Sequence, residues 1–204
     1  MNPLNSIAGT IIAGVVLAII LVLVTMGDHI VGVIPVNSVM IWLHVLSGIT
    51  WIGILYYFNF VQVPALAHAA SDTGGPGGAG ITKYVAPRAL AWFRWGAVAT
   101  WLTGAAFLLH RGLLDDAFAL GMLTDPVDPY SLTIGMGAWL GTIMLFNVWV
   151  LIWPNQKKIL GLVEAGAEEI GKAKRTAFLA SRTNTLLSIP MIMCMVGAGH
   201  GFFM

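Results

Sequence analysis

Two histidines, His44 and His200, stand inside stretches that are otherwise almost wholly apolar. An ionisable ring in such a stretch is costly, and it usually faces a bundle interior and carries function. The surroundings of each ring narrow the chemistry. In "HVLSGITWIG", Gly48 lies four residues after His44 and Trp51 seven after it, on one helical face. Gly197 lies three residues before His200, with Gly199 adjacent. A glycine one turn from a histidine removes bulk where a flat macrocycle would lie. Two histidines on different helices, each flanked by glycine, therefore suit axial ligation of a b-type haem. A bare copper or zinc ion is a second reading of the same pair. It lacks ligands, because Cys194 is the single cysteine and no carboxylate stands at ligand spacing from either histidine. A third reading is that each ring only hydrogen-bonds a neighbouring helix. His110 is a candidate second-haem ligand or proton acceptor, and His29 either or neither. No C-x-x-C-H occurs, so the chain cannot attach a c-type haem of its own.

The elements that must position these residues are membrane spans. Hydrophobic residues make up 58% of the chain and charged residues 9%, far from the roughly 25% charged of a soluble domain. A span needs about 20 apolar residues. Five stretches qualify, at about residues 7–26, 39–63, 90–109, 132–153 and 185–204. Unbroken apolar runs do not fit the alternation of a membrane β-barrel. The expected fold is all-α, a bundle of about five transmembrane helices in a single domain, residues 1–204. Met1–Ser6 carries no Lys or Arg and Gly27-Asp28-His29 is not a small-x-small cleavage site, so the first span reads as a retained anchor. "SDTGGPGGAG" (71–80) reads as a flexible loop and "LTDPVDPYS" (123–131) as a rigid acidic connection. Residues 155–182 are polar, with Ile159, Val163, Ile170 and Ala177 at roughly helical spacing, which predicts an amphipathic helix or a helical extension along the inner interface.

Orientation follows from the basic residues. Lys83, Arg88, Lys157, Lys158, Lys172, Lys174, Arg175 and Arg182 fall in the two loops that share a side with the N-terminus. Arg111 lies on the other side, beside Asp28, Asp115, Asp116, Asp125 and Asp128. The positive-inside rule makes the basic loops and the N-terminus cytoplasmic and the C-terminus periplasmic, which implies a multi-pass protein of the inner membrane. His29, His44, His110 and His200 then gather toward the outer face, and His68 alone lies inside. Asn59, Gln62, Asn147, Asn184 and Ser188 read as bridges between helices near the inner side, or as the lining of a small polar cavity there. Nothing basic is dense enough to suggest nucleic acid.

"WLHVLSGITWIGILYYFNFVQVPAL" (42–66), "RALAWFRWGAVATWLTG" (88–104), "IWPNQKKILG" (152–161) and "SRTNTLLSIPMIMCMVGAGHG" (181–201) resemble the membrane domain of the cytochrome-c-linked urate hydroxylases, the urate oxidase N-terminal domain family. His44 and His200 both fall in matching blocks. More loosely, a helix with a leading histidine and a downstream W-x-G is similar to those of the bacterial protoporphyrinogen oxidase and copper-resistance groups. The resemblance implies oxidation of urate to 5-hydroxyisourate with electrons leaving to cytochrome c. The chain is shorter than the family's full membrane domain and lacks its cytochrome c domain, so a separate cytochrome c on the outer face would have to serve. Three functions fit these residues: a urate oxidoreductase with a haem between His44 and His200, a non-catalytic b-type cytochrome or respiratory accessory subunit, and a haem-free structural or transport protein. Besides lipid and cytochrome c, the expected partners are other respiratory subunits or a second copy of the chain.

Overall fold

The computed structural model describes residues 2–26 and 36–201, which leaves His29 outside the described residues. The chain divides into two compact units, Met1–Val39 and Met40–Met204. In the first, Asn2 caps a short 3-10 turn, Pro3–Asn5, and Ser6 accepts the Gly9 amide at 3.0 Å to start helix α1, Ile7–Met26. At 1.5 Å per residue, its 20 residues span about 30 Å. It is apolar around its whole circumference.

The remaining elements are α2 (Val36–Ser71), α3 (Ala86–His110), a short α4 (Leu114–Phe118), α5 (Pro129–Ile159) and α6 (Ala167–His200). No strand occurs among the described residues. Within the second unit, α2, α3, α5 and α6 alternate in direction. The starts of α2 and α5 share one end with the finishes of α3 and α6, because His44, Gly104, Tyr130 and His200 line a common cavity. The core runs between them through Trp51, Leu55, Phe93, Met144 and Val148. α2 meets α3 where Phe58 stands edge-to-face on Phe93, centroids 5.6 Å apart. On α6, Ala173, Ala177, Ala180, Asn184, Ser188, Met191 and Cys194 form a buried stripe of mostly small residues. Such a stripe brings helix backbones close together. Its partner on α5 includes Gly137, where an added Cβ would lie 3.2 Å from Cys194 Cβ. The outward faces are apolar, with Phe146, Leu186 and Ile189 more than half exposed.

Turns of π-helix interrupt α2 at Tyr57–Gln62 and α5 at Asn147–Ile152, and a third, Ile81–Val85, leads directly into α3. Each is followed two residues later by a proline, Pro64, Pro87 or Pro154. A proline lacks the N–H of the i→i−4 ladder and crowds the carbonyl four residues back. Widening the preceding turn relieves that crowding without ending the helix.

Four of the five predicted spans are helices both long and apolar enough to cross a membrane. The other, residues 90–109, lies within the 25-residue helix α3, which carries Arg88 and Arg94 and is not among the helices apolar enough to qualify. Arg94 lies over the Trp153 ring of α5, 3.2 Å from its centroid, rather than simply extending toward headgroups. The predicted amphipathic segment 155–182 is not one element. Gly161, at φ +70°, ends α5 after Leu160, with Leu162 N–H donating to Lys157 O at 2.9 Å and Gly161 N–H to Lys158 O at 3.2 Å. That pairing is a Schellman closure, which requires the left-handed conformation glycine tolerates. The rest of the segment is the first part of α6, continuous with the last apolar stretch.

Candidate functional site

α2, α3, α5 and α6 diverge at one end and leave a cavity of about 410 Å³. This size falls within the roughly 300–1,000 Å³ typical of small-molecule and cofactor sites. His44 enters from α2 and His200 from the last residue of α6. The walls are otherwise mainly apolar, with Ile41, Ile134, Met191 and Met195 among them. α4 supplies Phe118, which stacks edge-to-face on Trp139, while Trp139 Nε1 donates to Phe118 O at 3.1 Å. Gly135 permits this docking, since a Cβ there would overlap the Ala117 carbonyl.

Both imidazoles are oriented by the backbone. His44 Nδ1 lies 2.8 Å from Thr100 O on α3, and His200 Nδ1 lies 2.9 Å from Val196 O one turn earlier in α6. A carbonyl only accepts, so each Nδ1 carries the proton and donates it. In the neutral ring this leaves Nε2 as the nitrogen with the available lone pair. A ring held this way by a backbone carbonyl is the usual arrangement of a metal-ligating histidine. Thr103 Oγ1 adds a longer contact to His44 Nδ1, at 3.5 Å.

Gly104 makes the His44 position available. An added Cβ would lie 2.8 Å from His44 Cε1 and 3.0 Å from Nδ1, so any side chain would displace the ring from Thr100. Trp51 is 1% exposed and lines the same cavity, and its Nε1 is a buried donor without a partner. An apolar chamber, imidazoles from two separate helices, a glycine opening and an unpaired indole N–H fit a flat macrocycle, whose metal His44 and His200 would hold. A bare ion is less well served, because among the described residues no group of three or more His, Cys, Asp or Glu gathers.

The sequence-predicted residues thus separate. His44, His200 and Trp51 come together around the cavity. Gly48 and Gly197 do not line it: Gly48 faces α3, where its Cβ would touch the Thr100 methyl at 3.8 Å, and Gly197 is buried in the packing of α6. His110 is exposed at the end of α3 and away from the cavity, and His68 is exposed at the far end of α2. Gly104, Thr100 and the α4 residue Phe118 were not singled out from sequence. The only signal for Gly104 was its place in the family-like block at 88–104.

The buried amides join the helices between the two ends of the bundle. Asn147 Nδ2 donates to Asn184 Oδ1 at 2.8 Å, and Asn184 Nδ2 donates to Met144 O at 3.0 Å. Asn59 Nδ2 reaches both Leu55 O at 2.9 Å and Ser181 Oγ at 2.8 Å. Tyr56 OH donates to Ser188 Oγ at 2.9 Å, since Ser188 donates its own proton to Thr185 O. Asn59–Ser181, Asn147–Asn184, Asn184–Met144 and Tyr56–Ser188 are interhelical bridges of the kind the sequence suggested, whereas Gln62 makes no such bond and lines a cavity instead.

Comparison with curated proteins and with solved structures found no match. The family profile described as urate oxidase N-terminal matches residues 33–120 and 127–204. The matched residues include every helix that lines the histidine cavity, and both histidines. By this match over most of its length, the chain belongs to the urate oxidase N-terminal family.

Proposed function

We propose that the chain is a multi-pass redox protein of the inner membrane, of the urate hydroxylase type. It holds a b-type haem between His44 and His200 and passes electrons from urate, or a related donor, to a cytochrome c. The observation that carries this reading is the pair of imidazoles in one apolar cavity, each with Nδ1 engaged by a carbonyl and Nε2 free. The haem would supply one-electron redox chemistry. The chain's own residues would supply the rest: His44 and His200 would hold the iron, Gly104 leaves space for the His44 ring, and the walls offer a mainly apolar surround.

Four helices long and apolar enough to span, together with apolar outward faces, support membrane insertion. α3 crosses with its neighbours, because it lines cavities near both ends of the bundle. The lysine-bearing end faces the cytoplasm and the histidine cavity faces the periplasm. Asp115, Asp116, Asp125 and Asp128 border that outer end, and their charge favours encounter with a basic cytochrome c.

A second reading, a b-type cytochrome that carries electrons without oxidising a substrate in its haem cavity, is favoured by the cavity's lining. Apart from the two histidines and the Tyr130 phenol, its lining carries no ionisable side chain, and it holds no carboxylate or ammonium. A dithionite-reduced minus oxidised spectrum of the detergent-purified chain tests haem binding. The same sample with urate as reductant separates enzyme from carrier. The expected result is a b-type signal that urate develops. No haem in protein expressed under haem-replete conditions overturns the proposal.

A further inference from the structure

At the opposite end of the bundle lies a second cavity, of about 530 Å³, whose chemistry is unlike the first. It is lined by residues of the π turn of α2, the starts of α3 and α6, and the end of α5. Gln62 is 9% exposed, and its Oε1 is buried without a hydrogen-bond partner. A buried acceptor left unpaired is destabilising, and such groups in native structures usually mark a missing partner. Asn59, three residues earlier in the same turn, has both amide N–H bonds engaged by Leu55 O and Ser181 Oγ. What it can still offer is its carbonyl oxygen. Two carboxamide acceptors on one helical turn call for a ligand that presents N–H or O–H donors.

The rim and walls define the ligand further. Lys174 lines the cavity, and among the described residues it forms no ion pair. Its neighbours Lys158 and Lys172 are instead held by Glu169 and Glu168. An uncompensated ammonium at the mouth favours an anion. Phe58, Phe93 and Phe178 supply flat aromatic walls, which suit a planar ring.

We infer that this cavity binds a small planar anion rich in N–H donors, the class to which urate belongs. The donors reach Gln62 and Asn59, and the negative charge lies toward Lys174. This assignment rests on the redox reading above and separates the substrate from the cofactor. Phe58 borders this cavity and Trp51 the histidine cavity. They are seven residues apart on α2, hence roughly 10 Å along the helix. Leu55 and Phe93 fill the core between them. The ligand would enter from the end that the basic residues place in the cytoplasm, while the histidine cavity opens toward the other face.

Equilibrium dialysis of radiolabelled urate against the full-length chain in detergent tests the site. Gln62→Leu is expected to weaken binding about tenfold, the equivalent of one good hydrogen bond. Lys174→Gln should weaken it about threefold by removing one exposed charge. His200→Ala should leave urate binding unchanged whether or not haem is retained. Should Gln62→Leu fail to accumulate, Phe178→Trp fills the cavity from another helix and should block binding. Wild-type protein that binds no urate overturns the site. So does Gln62→Leu with wild-type affinity, or binding that disappears with His200. Gln62-dependent binding by a chain without haem would keep the site and remove the redox reading. A haem reduced by urate equally well in wild type and Gln62→Leu would do the reverse.

Discussion

The two cavities are built from the same four helices, yet one presents imidazole in an apolar chamber and the other carboxamides beside a lysine. The difference lies in how each helix treats its polar residues. At the histidine end, the helices run in regular α geometry, and a small residue, Gly104, allows a ring to reach a carbonyl of the next helix. At the lysine end, π turns ahead of Pro64 and Pro154 shift the register and turn Asn59, Gln62 and Asn147 into the bundle. One end therefore offers imidazole nitrogens in an apolar chamber, as the proposed haem requires. The other offers carboxamide acceptors and a charge, as the proposed anion requires. Buried amide bridges join the helices between the two ends.

The largest effect expected is loss of cofactor from one end alone. His44→Ala and His200→Ala should each abolish most haem binding, because each removes one of the two imidazoles proposed to hold the iron. Full haem retention in both variants would remove the functional half of the comparison. Asn184→Leu should act next most strongly, and on both ends. It leaves Asn147 Nδ2 and Met144 O without their partner in a fully buried position. A loss of about 2–4 kcal/mol is expected. Thermal unfolding monitored by tryptophan fluorescence reads it, and an unchanged midpoint would mean the bridge is not what couples the ends. Gly104→Ala tests the histidine end more gently. Its methyl would sit 2.8 Å from His44 Cε1, so the ring must leave Thr100 O. Overpacking of this kind costs about 1–3 kcal/mol. The haem Soret band should shift or lose occupancy while urate binding at Gln62 stays as in wild type.

Much of this was legible in sequence, and the reasons the rest was not are physical. Long apolar runs determine helices, and depth along a helix follows from counting residues, so His44 and His200 were correctly brought to the same end of the bundle. Facing was harder. His110 lies six residues beyond Gly104, roughly 240° further around the helix at about 100° per residue, so it points away from the cavity that Gly104 adjoins. Depth alone could not distinguish them. Gly48 and Gly197 were chosen for proximity in sequence to a histidine, whereas the glycine that matters for His44 is 60 positions away on another helix. The short helix Leu114–Phe118 is too brief to show periodicity, and it closes one wall of the cavity through Phe118. The segment 155–182 has helical spacing throughout, but one residue in the left-handed conformation, Gly161, divides it between two helices. The prolines were visible, but that they widen the preceding turn instead of ending the helix is a consequence of tertiary packing.

The smallest effect separates the ends through a cap. Asp128 lies just outside the spanning part of α5 and accepts the Ser131 amide on Oδ2 at 2.8 Å, starting the helix that carries Tyr130 and Ile134 to the histidine cavity. Hydrogen bonding from Ser131 holds its carboxyl below the usual carboxylate range. A depressed value in the folded state means that the carboxylate stabilises the fold above the unfolded-state value of about 4. The contribution fades as pH falls through the folded-state value. Asp128→Ala should cost about 1 kcal/mol at pH 7, the usual worth of an N-cap. That corresponds to a midpoint lowered by about 2–4 °C in a chain of this size. The difference from wild type should shrink as pH is taken below about 4, where the wild-type carboxylate is itself being neutralised. Urate binding at the lysine end should not follow either change, since α5 ends there rather than begins. A pH-independent gap between the two proteins would mean that Asp128 acts through packing and not as a charged cap, and equal loss at both cavities would mean that α5 moves as one rigid rod.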